Sequence, residues 1–86
     1  SCGLNFIIKM PTVLLVNGFR FYFYSNENNE PIHIHVEKAE GNAKFWLEPI
    51  DEEYSYGFSS NERKTILTIV EEHKLDLINS WHEYFG

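Results

Sequence analysis

The sequence predicts an α+β fold, a small antiparallel β-sheet of about four strands in hairpins packed against a C-terminal helix or broken helix pair. Two observations support this prediction. Asn17-Gly18, a strong two-residue hairpin signal, separates a short apolar run at 13–16 from a β-prone run at 19–24. Between Phe58 and Gly86 no glycine or proline occurs, and apolar residues recur at helical spacing. Hairpins followed by a helical tail are typical of α+β domains.

Two further strands follow the first hairpin. A polar loop at 25–31 precedes a third strand at 32–38, and a turn at 39–42 leads into a fourth strand at 43–48. We interpret residues 49–56 as an acidic connection, with room for a short strand near residues 54–58. The sheet is therefore built from two consecutive hairpins.

The C-terminal region carries a helix start signal. Ser59 and Glu62 have the spacing of a capping box. An apolar stripe follows and consists of Ile66, Ile69, Val70, His73, Leu77, Trp81 and Tyr84. A straight helix of about 25 residues would measure ~38 Å, which is long for a domain of this size. We expect a kink or break near residues 73–75.

Length and composition limit the classes of protein to which the chain can belong. Its 86 residues fit one domain, which we assign to residues 10–86, with residues 1–9 as an added segment or an alternative start. The lone Cys2 forms no internal disulfide or thiolate zinc site, which favours a reducing cytoplasm. The apolar residues at 4–8 are too few to cross a membrane. Nothing targets a membrane or export.

The charge distribution bears on nucleic acid binding. The net charge is −6, which disfavours nonspecific binding to a phosphate backbone. Residues 9–26, however, contain Lys9 and Arg20 and no acidic residue. A local neutral or basic surface can therefore exist on this acidic protein.

The third strand carries the candidate site. Because side chains alternate across a strand, His33, His35 and Glu37 share one face, opposite Ile34 and Val36. We expect the core face to hold Phe21, Phe23, Ile34, Val36, Phe45 and Leu47. The opposite face then carries Arg20, Tyr22, Tyr24, His33, His35, Glu37, Lys44, Trp46 and Glu48.

These side chains suit RNA cleavage without a metal or other cofactor. His33 and His35 are acid/base candidates for attack of a ribose 2′-hydroxyl on the adjacent phosphate, and Glu37 is a base or orienting group. Two cations are available for phosphate and three rings for base stacking, namely Arg20, Lys44, Tyr22, Tyr24 and Trp46. A structural alternative is that the rings pair across strands and that Arg20 and Lys44 pair with Glu37 and Glu48.

Two non-nucleolytic interpretations remain open. His33 and His35 also provide two metal ligands on one side of a strand, with Glu37, Glu30 or a helix histidine as a third. His73 lies on the apolar stripe and is expected in the core, unless a curled sheet or a broken helix brings it to the strand pair. The sheet face or a strand edge is alternatively a docking surface for a partner protein or for a second copy. Whether the chain is an enzyme stays open.

Several motifs from residue 10 to the C-terminus resemble the small bacterial domain-of-unknown-function family 4160. They are Met10-Pro-Thr, Arg20-Phe-Tyr-Phe-Tyr-Ser25, Glu30-Pro-Ile-His-Ile-His-Val36, Ala43-Lys-Phe-Trp-Leu-Glu-Pro49, Gly57-Phe-Ser59, Val70-Glu-Glu-His73 and Trp81-His-Glu-Tyr-Phe85. The resemblance implies a toxin-like role in a two-gene toxin–antitoxin module, with a small protein of family 2442 as cognate partner. It implies no catalytic residues.

Overall fold

A computed structural model describes residues 12–25 and 29–86. The expectations for residues 1–9, for Cys2 and for the motif residues Met10 and Pro11 lie outside this part of the chain. The elements are β1 (Leu14–Val16), β2 (Phe19–Tyr22), β3 (His33–Lys38), β4 (Gly41–Leu47), β5 (Ile50–Tyr56), α1 (Ser60–Glu72) and α2 (Lys74–Phe85). The strands form one antiparallel sheet in sequential order, which confirms the α+β prediction.

The first hairpin has the turn that its sequence predicts. Asn17 and Gly18 join β1 to β2 with φ angles of 53° and 82°. Positive φ at both central residues is the requirement of a type I′ turn, whose twist matches that of the flanking strands. The register pairs Val16 with Phe19 and Leu14 with Phe21.

The sheet has five strands where the sequence predicted about four. Residues 49–56, interpreted as an acidic connection, form β5, and Glu48 and Pro49 make a two-residue turn with a cis peptide bond. The acidic residues made this strand hard to predict, because aspartate and glutamate are on average depleted in strands. At a sheet edge they are tolerated, since one side of the strand faces solvent.

The predicted core residues are buried between the sheet and the helices. Phe21, Phe23, Ile34, Val36, Phe45 and Leu47 form one cluster with Ile66, Ile69, Val70, Leu77, Ile78 and Trp81. Burial of a large apolar side chain contributes roughly 1.5–3 kcal/mol. This cluster fixes which sheet face is left for the candidate site.

The helical region starts and breaks as predicted. Ser59 accepts a hydrogen bond from the Glu62 amide and Glu62 accepts one from the Ser59 amide, which completes the capping box. His73 separates α1 from α2. Because of this break, both helices can pack on the core face. Within the described residues, no helix is long and apolar enough to cross a membrane.

Candidate functional site

The register of the sheet brings the predicted site residues to one face. Across β2 and β3, Arg20 is opposite Glu37 and Tyr22 is opposite His35. Across β3 and β4, His35 is opposite Lys44 and His33 is opposite Trp46. We use the term polar face for these residues and Tyr24, whose ring contacts those of Tyr22 and His35. Glu48, predicted on this face, lies in the turn before β5.

His33 is enclosed by other rings. Its side chain is fully buried, and its ring centroid lies 5.6 Å from that of Trp46, 5.0 Å from that of Trp81 and 5.2 Å from that of His35. His33 Nδ1 is 2.9 Å from the carbonyl oxygen of Pro31. Because a carbonyl oxygen only accepts hydrogen bonds, Nδ1 carries a proton, and Nε2 is the basic nitrogen of the neutral ring.

His35 belongs to a compact aromatic group. It is 5% exposed, its ring stacks on Tyr22 at 5.5 Å, and the edge contact with Tyr24 is 4.9 Å. Tyr22 is 4% exposed. Burial, and next a hydrogen bond with Tyr24, raise the pKa of the Tyr22 phenol strongly. The Tyr22 hydroxyl is therefore a neutral donor across the physiological pH range.

Both cations of the polar face have carboxylate partners. Arg20 Nη1 donates to Glu37 Oε2 at 2.7 Å, and its guanidinium lies over the Tyr22 ring at 4.7 Å. Lys44 Nζ donates to Glu30 Oε1 at 2.8 Å. The predicted pair of Arg20 with Glu37 is confirmed, and Glu30 replaces Glu48 as the partner of Lys44.

Trp46 is held by a cation over its ring and by a hydrogen bond at its edge. Lys44 Nζ lies 4.5 Å from the indole centroid, and the Trp46 indole Nε1 donates to Glu53 Oε1 at 2.7 Å. Because Glu53 belongs to β5, this bond ties the edge strand to the polar face. The register of β4 and β5 shifts between Lys44 and Phe45. Glu53 is therefore the extra residue of a bulge and has no directly opposite residue in β4.

The helix residue that reaches the strand histidines is Trp81, not His73. His73 lies between the two helices, half-buried, with Nδ1 at 4.0 Å from Asp76 Oδ2. Sequence reasoning missed the contact of Trp81 with His33, because Trp81 belongs to the same apolar stripe as core residues of the helices. The helix does break at His73, which was one way in which His73 could have approached the strand histidines. The helix residue in contact with His33 is nevertheless Trp81.

The metal interpretation receives no support from geometry. Among residues 12–25 and 29–86, no group of three or more His, Cys, Asp and Glu side chains has positions that could hold a metal ion. His33 Nδ1 is engaged with a backbone carbonyl, and Glu30 is engaged with Lys44. The histidine pair therefore lies in a packed aromatic environment.

The fold and the polar face define a small α+β domain whose antiparallel sheet is covered on one side by a broken helix. The model of the family described as a domain of unknown function, DUF4160, matches residues 18–82. The chain belongs to this family, which confirms the resemblance of its motifs. No curated protein and no solved structure matches the chain.

Proposed function

We propose that this domain is the toxin-like member of a two-gene bacterial toxin–antitoxin module and that it is neutralised by binding a protein partner, the product of the adjoining gene. The observation that carries this proposal is the edge strand β5. In the described part of the chain, β5 pairs with β4 on one side only. An edge strand offers main-chain donors and acceptors to an extended segment of another protein.

The polar face favours docking over an open platform for RNA. Its acid/base candidates, His33 and His35, are buried under other rings. Phosphate would have to displace carboxylates that lie 2.7 and 2.8 Å from Arg20 and Lys44. The net charge of −6 adds long-range repulsion. Binding of a protein at the edge of the sheet therefore requires a smaller rearrangement of this domain than binding of RNA on the polar face.

The test is coexpression. The chain alone is expressed in a bacterial host and compared with the chain expressed together with the product of the adjoining gene. We expect growth inhibition by the chain alone, relief by the second protein, and copurification of the two proteins. Inhibition that persists with the second protein present, combined with the absence of a complex, would contradict the proposal.

A second candidate function is metal-independent RNA cleavage on the polar face. The observation that favours it is the contact of two imidazoles, 5.2 Å apart, in which the Pro31 carbonyl sets the tautomer of His33. A fixed tautomer presents one nitrogen as base, and a neighbouring protonated imidazole can act as acid. RNA would have to displace the half-buried rings of Tyr24 and Trp46 to reach them.

Substitution of His35 separates the two candidates. His35→Phe keeps a ring against Tyr22 and removes the two ring nitrogens, and His82→Phe makes the same exchange at an exposed histidine. Cleavage predicts that only His35→Phe abolishes growth inhibition while the circular dichroism spectrum stays unchanged. Docking predicts that both variants remain inhibitory.

A further inference from the structure

A cleft lies beside the edge of the sheet, between β5 and α1. Its volume is about 470 Å³, and its apolar lining consists of Phe45, Ile50 and Leu67. Phe45 is buried, Ile50 is half-buried and Leu67, on α1, is 39% exposed. Glu52 and Arg63 form an ion pair of 2.7 Å at the same cleft. Asp51, Ser60 and Lys64 complete the lining, so the cleft combines an apolar floor with a rim that carries two acidic and two basic residues.

The two sides of β5 differ in chemistry. Ile50 and Glu52 are opposite the core residues Leu47 and Phe45, so they lie on the side of the cleft. Asp51 is opposite Trp46, and Glu53 accepts a hydrogen bond from Trp46, so these two acidic residues lie on the side of the polar face. Within the described residues, neither Asp51 nor Glu53 forms an ion pair. The cleft side thus offers apolar surface within a charge-balanced rim, and the side of the polar face offers two carboxylates that have no ion pair in the described part of the chain.

We infer that the outer edge of β5 binds an extended segment of a partner protein in which apolar residues alternate with basic residues. A strand added to β5 would lie about 4.8 Å from it, with successive side chains on opposite sides of the sheet. Every second side chain would then enter the cleft beside Ile50 and Leu67. The intervening side chains would face Asp51 and Glu53, where lysine or arginine forms charge-assisted hydrogen bonds.

A second copy of the chain is a less favourable binding partner for the edge of β5 than a basic segment. In an antiparallel pair of two β5 strands centred on Glu53, the two Glu53 side chains are opposite each other; a shift of one residue places Glu52 opposite Glu53, and a shift of two places Asp51 opposite Glu53. Like charges directly opposite each other destabilise strand pairing. The acidic residues therefore disfavour self-association in these registers and favour a basic segment.

The distal end of β5 supplies a further apolar contact. Tyr54 and Tyr56 stack at 5.4 Å, and Tyr56 is 64% exposed. Exposed tyrosine rings are frequent anchors in protein interfaces. A bound segment that runs the length of β5 would reach this pair, which gives the docking surface a second anchor beside the cleft.

This inference rests on the proposed function, because it names the surface and the chemistry of the partner. The first test uses a labelled peptide of alternating valine and lysine with seven residues, the length of β5. Matched peptides replace lysine by glutamate or group the valines and lysines in two blocks. We expect the alternating lysine peptide to bind and to shift the amide resonances of β5, and each control to bind at least about tenfold more weakly. Equal binding of the block peptide, or resonance shifts confined to elements other than β5 and α1, would overturn the inference.

N-methylation tests the main-chain hydrogen bonds directly. In an edge complex, only every second amide of the peptide faces β5. Two peptides are therefore compared, one methylated at the odd amides and one at the even amides. The inference predicts that one pattern abolishes binding and that the other leaves the affinity nearly unchanged. Equal effects of the two patterns would show that the peptide does not add a strand.

Charge reversal on the protein provides the reciprocal test. The double variant Glu48→Lys/Asp51→Lys reverses two exposed carboxylates, Asp51 in β5 and Glu48 in the turn before it. The double variant Glu71→Lys/Glu72→Lys makes the same change in net charge at the end of α1. The first variant should bind the lysine peptide about tenfold more weakly and the glutamate peptide more tightly. Identical effects of the two variants would reduce the inference to long-range attraction and overturn it.

The cleft is tested by shortening one side chain. Leu67→Ala removes exposed apolar surface beside Ile50, and Leu75→Ala makes the same exchange on α2, where the side chain is 74% exposed. We expect about fivefold weaker binding for Leu67→Ala, corresponding to loss of part of a buried side chain. Unchanged binding of Leu67→Ala would show that the cleft takes no side chain of the peptide and would contradict the inference.

The product of the adjoining gene separates this inference from the proposed function. If it binds the native chain but not Glu48→Lys/Asp51→Lys, both are supported. If it binds both proteins equally, the function holds and the β5 assignment is wrong. If it binds neither, and the native chain forms no complex with it in cells, the proposed function itself fails.

Discussion

His33 and His35 occupy the centre of the polar face, and the groups around them decide what they can do. Trp46, Trp81 and Tyr22 pack against the two imidazoles, and the Pro31 carbonyl holds His33 by its Nδ1 proton. A buried polar group that accepts or donates a hydrogen bond costs little, whereas the same group without one costs about 1–3 kcal/mol. The Pro31 contact is therefore a structural reason for a histidine at this position.

The tautomer of His33 is a direct prediction of this contact. We expect the neutral ring to carry its proton on Nδ1, because the Pro31 carbonyl can only accept. Long-range nitrogen–proton correlation spectra at mildly alkaline pH distinguish the two tautomers. His82, which is exposed, serves as the internal reference. A His33 ring protonated on Nε2 would contradict the described geometry.

Tyr22 predicts a loss of stability at alkaline pH. Burial and the hydrogen bond with Tyr24 raise its pKa above the ordinary value of 10.0, so the folded state keeps the phenol neutral after the unfolded state ionises. The contribution of Tyr22 is complete below pH 10 and is lost as the pH rises further. The free energy of unfolding should fall by at most about 1.4 kcal/mol per pH unit from this group.

Tyr22→Phe is the variant that checks this prediction. Denaturant titrations at several alkaline pH values should give a shallower decline of the free energy of unfolding than in the native chain. Tyr56→Phe, at an exposed tyrosine, is the control for removal of a hydroxyl group. A decline as steep in Tyr22→Phe as in the native chain would show that another group causes it.

The sequence predicted the composition of the polar face and not its burial. Strand alternation places His33, His35 and Glu37 together whatever covers them. Their exposure depends on Trp81, which comes from a distant helix, and on the pairing of Lys44 with Glu30. Such contacts between distant segments leave no periodic signal in one sequence.

At the scale of elements, a close contact joins the β3–β4 turn to the start of α1. Gly41 opens β4, and a methyl group at its Cα would meet the Phe58 ring. The same ring makes an edge contact with Phe19 at 5.8 Å. Glycine at this position is therefore favoured by packing, because a methyl group would force the Phe58 ring to shift against Phe19.

Gly41→Ala should lower the free energy of unfolding by about 1–3 kcal/mol through this overlap. Denaturant titration gives the value, and Asn42→Ala, at the exposed neighbouring position of β4, is the control. The double variant Gly41→Ala/Phe58→Leu should recover part of the loss relative to Phe58→Leu alone, because the smaller side chain leaves room for the methyl group. Additive losses would contradict the contact.

The elements differed in how well they could be predicted. Asn17-Gly18 and the Ser59–Glu62 capping box are local, since the residues that form each contact are close in sequence. For β5 the local sequence indicated an acidic connection, and pairing with β4 outweighed the poor strand propensity of Asp51, Glu52 and Glu53. The edge strand β5, where we propose that a partner binds, was therefore the element that sequence reasoning predicted least well.

At the scale of the whole molecule, the two sides of the sheet have separate roles. The core face holds the helices, and the polar face is closed by its own rings and ion pairs. The surface that we propose for a protein partner is the edge of the sheet, where β5 carries acidic side chains and lies beside the cleft between β5 and α1. The charge of −6 favours a basic partner and accelerates its association.

Amide hydrogen exchange of the domain with and without the product of the adjoining gene tests the central claim most directly. If a partner strand adds to β5, the amides at the outer edge of Ile50–Tyr56 should exchange more slowly in the complex, while those of β3 stay unchanged because they already pair with both neighbours. Unchanged exchange in β5, with new protection confined to another element of a formed complex, would contradict the account.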